Sequence, residues 1–286
     1  MSPATLLLVL FTGCAPSIEE QPVPLPVPAQ DLGVPPVVGW PMEGSDLVVL
    51  QPAMGAPPAL RVSLDPGHGV GRNSGNFSSL CIDEQDHNLR IAHHLAASLQ
   101  GAGFEAPRLS RIDNRGPAYS TRIRDAGSWD ADLLLSLHSD VRGHGREWSP
   151  EPGCSAWWND ANPGFSVLWS DEGEPELAAA RLELARAISA RLAEAGFLPY
   201  DGYEYQGIYE GDPDHPGVFV DRHEPRRRIR MLRRPPMPSV IIETHNAWDR
   251  REESRWQQEE TLEAFDAAVV AALGDLAEPG AASLAP

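Results

Sequence analysis

The sequence predicts an α/β fold, with a mostly parallel or mixed sheet flanked by helices on both faces in a single domain over residues 60–275. Two observations carry that prediction. Short apolar runs ending in turn residues alternate with longer segments whose apolar side chains recur at helical spacing. In a chain of 286 residues, 42% hydrophobic side chains are enough to close one packed core.

The first predicted strand is 60–65 (LRVSLD), which runs into Pro66-Gly67-His68-Gly69. A helix follows over about 83–101, where Leu89, Ala92, Leu95, Ala96 and Leu99 share one stripe. Gly103-Phe104 leads to a short strand near 107–110, and a second helix covers about 118–127. The run 133–137 (LLLSL) is a buried strand that stops at His138. A third helix over about 174–195 carries Leu177, Leu184, Ile188 and Leu192, and Gly196 ends it. Segments 141–173 and 199–235 read as long loops able to cover or reshape a crevice. The last strand, 239–242 (SVII), stops at Glu243, and a final helix spans about 252–273.

The N-terminal segment predicts export. Residues 4–12 (ATLLLVLFT) are too short to span a bilayer but match a signal-peptide apolar region, and Gly13-Cys14 resembles a bacterial lipobox. Residues 1–14 are therefore expected as a signal with a lipid-anchored Cys14, giving a periplasmic or cell-envelope protein. Residues 15–59 contain eleven prolines and are expected as an extended tether of on the order of 140 Å. Trp40 and residues 47–50 are candidates to dock onto the domain, and 276–286 is expected as a flexible tail. Cys81 and Cys154 remain as one potential disulfide, or as two buried thiols.

All 23 basic side chains are arginine, which removes any lysine nucleophile, and a net charge of −18 disfavours nucleic acid as a partner. No HExxH or GxSxG occurs. Instead, His68, His138 and Glu243 stand where apolar strands stop, and Glu84 opens the first helix on the same sheet edge. Ligand crevices in open α/β sheets lie outside the carboxyl ends of strands. His68, Glu84 and His138 have the composition of a catalytic zinc site with one open position, leaving Glu243 to handle a proton. Taken singly, each has a plainer reading, as a turn histidine or a glutamate favouring the helix dipole.

Over 60–275 the chain resembles the zinc-dependent N-acetylmuramoyl-L-alanine amidases of the type-3 family. The matching motifs are Leu64-Asp65-Pro66-Gly67-His68-Gly69, Glu84 through Ala92, Ser110-Arg111, Arg122 through Asp132 leading to Ser136-Leu137-His138-Ser139-Asp140, and Met237 through Glu243. The resemblance implies Zn2+ on His68, Glu84 and His138, Glu243 as catalytic acid/base, and peptidoglycan as partner. It implies hydrolysis of the amide between N-acetylmuramic acid and L-alanine. No activator protein is identifiable.

The chain departs from the family after Glu243, where Thr244-His245-Asn246 replaces the usual Gly-Phe, and Gly127 replaces an asparagine. His245, expected to share the face of Glu243 if the strand continues, Arg233 in a basic run, and Asp65 are further candidates for substrate or supporting contacts. For that run, a solvated face balancing Glu172, Glu174 and Glu176 is the stronger alternative. Trp157-Trp158 and Tyr203/Tyr205 are candidates to stack on sugar rings or to fill core and loop. His87 is a fallback ligand. Two other readings stay open: a zinc amidohydrolase or carboxypeptidase for small acylated peptides, and a non-catalytic wall-binding lipoprotein.

Overall fold

The computed structural model describes residues 47–51 and 59–276. The signal segment with Cys14, Trp40, most of the tether and residues 277–286 lie outside the described residues. In chain order the first elements are β1 (Val62–Pro66), α1 (Glu84–Gly101), β2 (Arg108–Leu109), α2 (Tyr119–Ser128) and β3 (Leu133–Asp140). Next come β4 (Arg146–Trp148), β5 (Ala156–Trp158), β6 (Ser166–Trp169), α3 (Pro175–Glu194), β7 (Tyr209–Gly211) and β8 (Val218–Asp221). The chain closes with α4 (Arg230–Arg233), β9 (Ser239–Asn246), α5 (Arg250–Trp256) and α6 (Glu259–Leu276).

Seven strands form one sheet in the order β2-β1-β3-β9-β6-β8-β7. From β2 to β9 all pairings are parallel, so β1, β3 and β9 end on the same edge. That edge carries Pro66, His138 and Glu243, with His138 directly opposite Glu243 in the register. Strand β6 runs antiparallel to β9, and the sheet is therefore mixed. Side chains alternate across it. Leu64, Leu135, Leu137, Val240 and Ile242 pack on one face with Ile91 and Leu95 of α1, Leu184 and Ile188 of α3, and Phe265 of α6. Leu134, Leu168 and Ile241 point to the other face, with Ile123 of α2 and Met231 and Leu232 of α4. Both faces are covered, which is why the strands read as unbroken apolar runs.

Two expectations change. The segments 141–173 and 199–235 hold strands: a β4–β5 hairpin, then β6, and a β7–β8 hairpin that extends the sheet. The predicted last helix is two helices, α5 and α6, broken at Gln257-Gln258. Asp249 caps α5 by accepting from the backbone N–H groups of Arg251 and Glu252. Of residues 47–50, Leu50 enters the core and the Val48 N–H donates to the Ala195 carbonyl at 3.0 Å.

Cys81 and Cys154 form a disulfide, with Cα atoms 5.9 Å apart. It ties the loop before α1 to the turn of the β4–β5 hairpin across a sequence separation of 73. Closing a loop of that length in the unfolded chain contributes about 4 kcal/mol of stability in the chain-entropy description. The Cys81→Ser/Cys154→Ser protein should therefore unfold at markedly lower denaturant concentration, measured by circular dichroism. The wild type under reducing conditions should match it.

Candidate metal centre and active site

The site begins with a strained turn. His68 follows β1 with φ 62° and Gly69 with φ 72°, a left-handed pair that turns the imidazole back over the sheet edge. Two buried arginines hold this turn by its carbonyls. Arg111 donates from Nε to Pro66 O and from Nη2 to Gly67 O, both at 2.8 Å. Arg122 donates from Nη1 to Pro66 O at 3.0 Å and from Nη2 to His68 O at 2.5 Å. Its charge is answered by Asp65, 2.8 Å away, with both side chains fully buried. Ser136 also donates to Asp65, at 2.7 Å. Asp65 thus lies beneath the site with no face toward solvent. Of the two roles expected for it, the geometry fits the supporting one: it compensates the arginine that fixes the turn.

Glu84 is the first residue of α1, and its carboxylate gathers the site. Oε1 lies 2.9 Å from His138 Nδ1, and Oε2 lies 3.0 Å from His68 Nε2. The backbone N–H groups of Asn76 and Ser139 donate to the same carboxylate at 2.8 and 3.2 Å, and Asn88, one turn on, donates at 3.3 Å. Ligand atoms of His68, Glu84 and His138 all fall within 4.8 Å of one another, close enough to hold one metal ion.

The local backbone is shaped for this convergence. A Cβ on Gly67 would collide with the His138 ring, and one on Gly75 (φ 83°) would collide with the Glu84 carboxylate. His68 Nδ1 sits 3.0 Å from Asn73 Oδ1. That oxygen only accepts, so Nδ1 carries the proton and Nε2 is left to face Glu84. Burial works against charging either partner, yet the pair outweighs it. Hydrogen bonds and charge from Glu84 raise the His68 pKa, and those from His138 and His68 hold Glu84 well below the usual carboxylate range. The cluster therefore favours a cation between its members, whether protons or a metal.

Glu243 sits beside it, half-buried, between His138 on β3 and Ser166 on β6. Its Oε2 is buried and has no hydrogen-bond partner among the described residues. Burial, then the charges of Asp140 and Glu84, push its pKa well above the ordinary value. A carboxyl group with an uncommitted oxygen and a raised pKa is equipped to take and return a proton.

The structure moves two further candidates elsewhere. His245 does not share the face of Glu243. The register shifts so that Glu243–Asn246 spans the same length as His138–Asp140, and this bulge carries Thr244 and His245 to the α1 side. There the His245 ring stacks on Trp256 at 5.5 Å and meets His87 edge-on at 4.8 Å. Arg233 lies on α4, whose Leu232 carbonyl accepts from Ser239 Oγ. Ser239 stands four residues before Glu243, about 13 Å along the strand, and the Arg233 guanidinium pairs with Glu172 at 3.6 Å. Arg228 pairs with Asp171 and Glu172 as well, so this part of the basic run balances acidic neighbours.

Apart from Tyr205, which proves to be buried, the other contributors have no sequence signal of their own. Asn73 and Asn76 act through the hydrogen bonds above, and Arg142 packs its guanidinium 3.9 Å over the Tyr200 ring. Arg142 and the Tyr205 hydroxyl both donate to Asp140, at 3.0 and 2.6 Å, walling the side of the crevice near Glu243. Only Asp140, in the run after His138, stood within a recognisable motif.

The fold and the site define an α/β domain that carries a histidine–carboxylate centre, able to hold a metal ion, at the carboxyl ends of its parallel strands. The model of one family, described as N-acetylmuramoyl-L-alanine amidase (Amidase_3), matches residues 62–275, and the chain belongs to that family. N-acetylmuramoyl-L-alanine amidase LytC of Bacillus subtilis (strain 168) is 30% identical over 118 residues, 41% of this chain and 23% of that protein. The match thus spans about a quarter of the length of this curated relative. The amidase Ami1 from Mycobacterium smegmatis superposes with a TM-score of 0.59 at 20% identity, covering 77% of this chain and 98% of that one. An N-acetylmuramoyl-L-alanine amidase from Clostridium difficile 630 gives 0.57 at 20% identity, covering 77% and 97%. These likenesses establish a shared fold.

Behind the centre, burial lowers the pKa of both His87 and His245 to about 3. Thr244 Oγ1 donates to the His138 carbonyl at 2.9 Å, so it accepts the Nδ1–H of His245 at 3.0 Å. His245 Nε2 then accepts from Glu253, 2.8 Å away, whose pKa burial raises. Between pH 6.5 and 3 the unfolded chain protonates both histidines and the folded one does not. Their contribution is complete above pH 6.5 and is lost as the pH falls, while the buried carboxyls with raised pKa, Glu252 and Glu253 among them, work in the opposite sense. Relative to the wild type, His245→Asn should remove up to about 1.4 kcal/mol per pH unit of the loss of unfolding free energy between pH 6.5 and 4.5, measured in urea.

Proposed function

We propose that this protein is a zinc-dependent N-acetylmuramoyl-L-alanine amidase that cleaves the amide between the lactyl group of N-acetylmuramic acid and the first L-alanine of peptidoglycan. Residues 60–275 form its catalytic domain, carried on an exported, lipid-anchored chain by the proline-rich tether. The observation that carries the reading is the convergence of His68, Glu84 and His138, with Glu243 opposite His138 in the register.

Two imidazoles and one carboxylate are a donor set suited to zinc with a position left open. The glycine cradle at Gly67 and Gly75 and the orienting hydrogen bond from His68 to Asn73 fit that role. Zinc held there supplies Lewis-acid polarisation of the scissile carbonyl and makes water more acidic. Glu243, with its free Oε2, receives the proton of the attacking water and returns it to the amide nitrogen as the C–N bond breaks. Asn76 and Ser139 keep the Glu84 carboxylate aimed by their backbone N–H groups. The Arg111 and Arg122 contacts hold His68 in its left-handed turn.

Purified protein should release stem peptides from sacculi, lose that activity to a chelator and recover it with zinc. Glu243→Gln should lower kcat by roughly 10²–10⁴-fold while bound zinc, measured per chain, stays at the wild-type level. Activity in metal-free buffer or in Glu243→Gln at the wild-type rate would sink the scheme. Hydrolysis of soluble acylated peptides but not of sacculi would select the small-peptide amidohydrolase instead.

A further inference from the structure

The β4–β5 hairpin, part of the first segment expected as loop, carries an aromatic surface that the hydrolytic chemistry does not use. In β5 the pattern is buried, exposed, buried, so the two adjacent tryptophans part company. Trp158 is 9% exposed and lies under the Arg250 guanidinium at 4.0 Å. Trp157 is 45% exposed and faces Trp248, with ring centroids 6.5 Å apart and planes tilted by 34°. The Trp248 indole N–H donates to the Phe77 carbonyl at 3.2 Å, and Phe77 itself is 41% exposed.

This surface begins at the rim of the metal centre. Phe77 directly follows Asn76, which donates to Glu84 through its backbone and to the Ser139 carbonyl through Nδ2 at 2.6 Å. It is also held rigidly. Trp148 Nε1 donates to the Ser79 carbonyl at 2.9 Å, the Asn159 N–H donates to the Trp248 carbonyl at 2.9 Å, and the Cys81–Cys154 disulfide joins the same two segments. At Gly145 a Cβ would stand 3.0 Å from the Trp248 ring and 3.1 Å from the Trp157 Cβ, so the backbone entering the hairpin is closed against the Trp248 indole. Exposed rings fixed in this way present apolar contact area at little conformational cost.

The chemistry of the occupant follows from charge and from the bond that reacts. On the acyl side of that bond lies a glycan strand. While the lactyl carboxyl is tied up in the amide, the strand is neutral, which suits a protein with net charge −18. The apolar C–H faces of neutral pyranose rings complement aromatic faces. We propose that Phe77, Trp248 and Trp157 form a stacking subsite for the neutral N-acetylated glycan strand, leading away from the metal centre. The assignment of a glycan rests on the amidase reading.

The test separates the two. Glu243→Gln protein is titrated with neutral N-acetylglucosamine tetra- to hexasaccharides and followed by tryptophan fluorescence and calorimetry. Saturable binding is expected. Adding Trp157→Ala should weaken it at least tenfold, while Glu105→Ala, exposed beside Arg61 at the opposite edge of the sheet, should leave it unchanged. In the otherwise wild-type enzyme, Trp157→Ala should raise KM for sacculi at least tenfold with kcat retained, and leave a soluble muramoyl dipeptide unaffected.

Equal affinity in Trp157→Ala, or no binding of the oligosaccharides, overturns the subsite. So does a dimer that Trp157→Ala converts to monomer in sedimentation, because the patch would then be covered by a second copy. Sacculi left intact by the wild type, together with oligosaccharide binding lost in Trp157→Ala, would remove the amidase reading and keep the subsite.

Discussion

One carboxylate organises this molecule. Glu84 stands at the first position of α1 and receives the imidazoles of His68 and His138 with the backbone N–H groups of Asn76 and Ser139. Those partners come from the turn after β1, the loop before α1 and the end of β3. Removing Glu84 would leave two imidazoles and two amides facing one another without a counter-charge. The energetic asymmetry is steep, because an unanswered polar group costs far more here than the net worth of any one of these bonds. A glycine at 67 and another at 75 follow from the same requirement, since the rings and the carboxylate occupy the space a Cβ would take.

The parallel half of the sheet was legible because its physics is local. Leu133 through Leu137 has to be buried on both faces, so it reads as an unbroken apolar run whose end marks the crevice. The candidate ligands His68 and His138 were visible for the same reason: polar groups placed at the ends of such runs are out of keeping with them. The antiparallel half was missed although Phe165-Ser166-Val167-Leu168-Trp169 is mostly apolar, and Val218–Asp221 likewise. Each run is short and flanked by glycine and proline, which makes it indistinguishable from a packed loop until a partner strand is known. Pairing with β9 and β6 is non-local, and no single-chain periodicity encodes it.

Supporting residues were hidden by a related limit. Arg111 and Arg122 matched motif positions, but their targets are carbonyl oxygens of the turn, which every residue possesses. Asp65 was open to either a substrate or a supporting role from sequence, and only the closure of Arg122 and Ser136 over it selects the second. Arg233 was singled out by composition, and composition says nothing about which end of β9 its helix occupies.

The case of His245 shows how one extra residue sorts the chemistry of the whole strand end. Strict alternation would place Glu243 and His245 on one face, both beside the crevice. The bulge opposite His138–Asp140 instead leaves Glu243 on the side of Asp140 and sends His245 to Trp256 and His87. The two environments then diverge. Glu243 keeps an oxygen with no hydrogen-bond partner among the described residues, whereas His245 has both ring nitrogens engaged by Thr244 and Glu253. A group that exchanges protons with substrate needs the first condition, and a group that holds a backbone in place needs the second. Thr244 joins them, because the hydroxyl that accepts from His245 also donates to the His138 carbonyl. The dry side of β9 thereby fixes the backbone of His138, whose imidazole meets the Glu84 carboxylate.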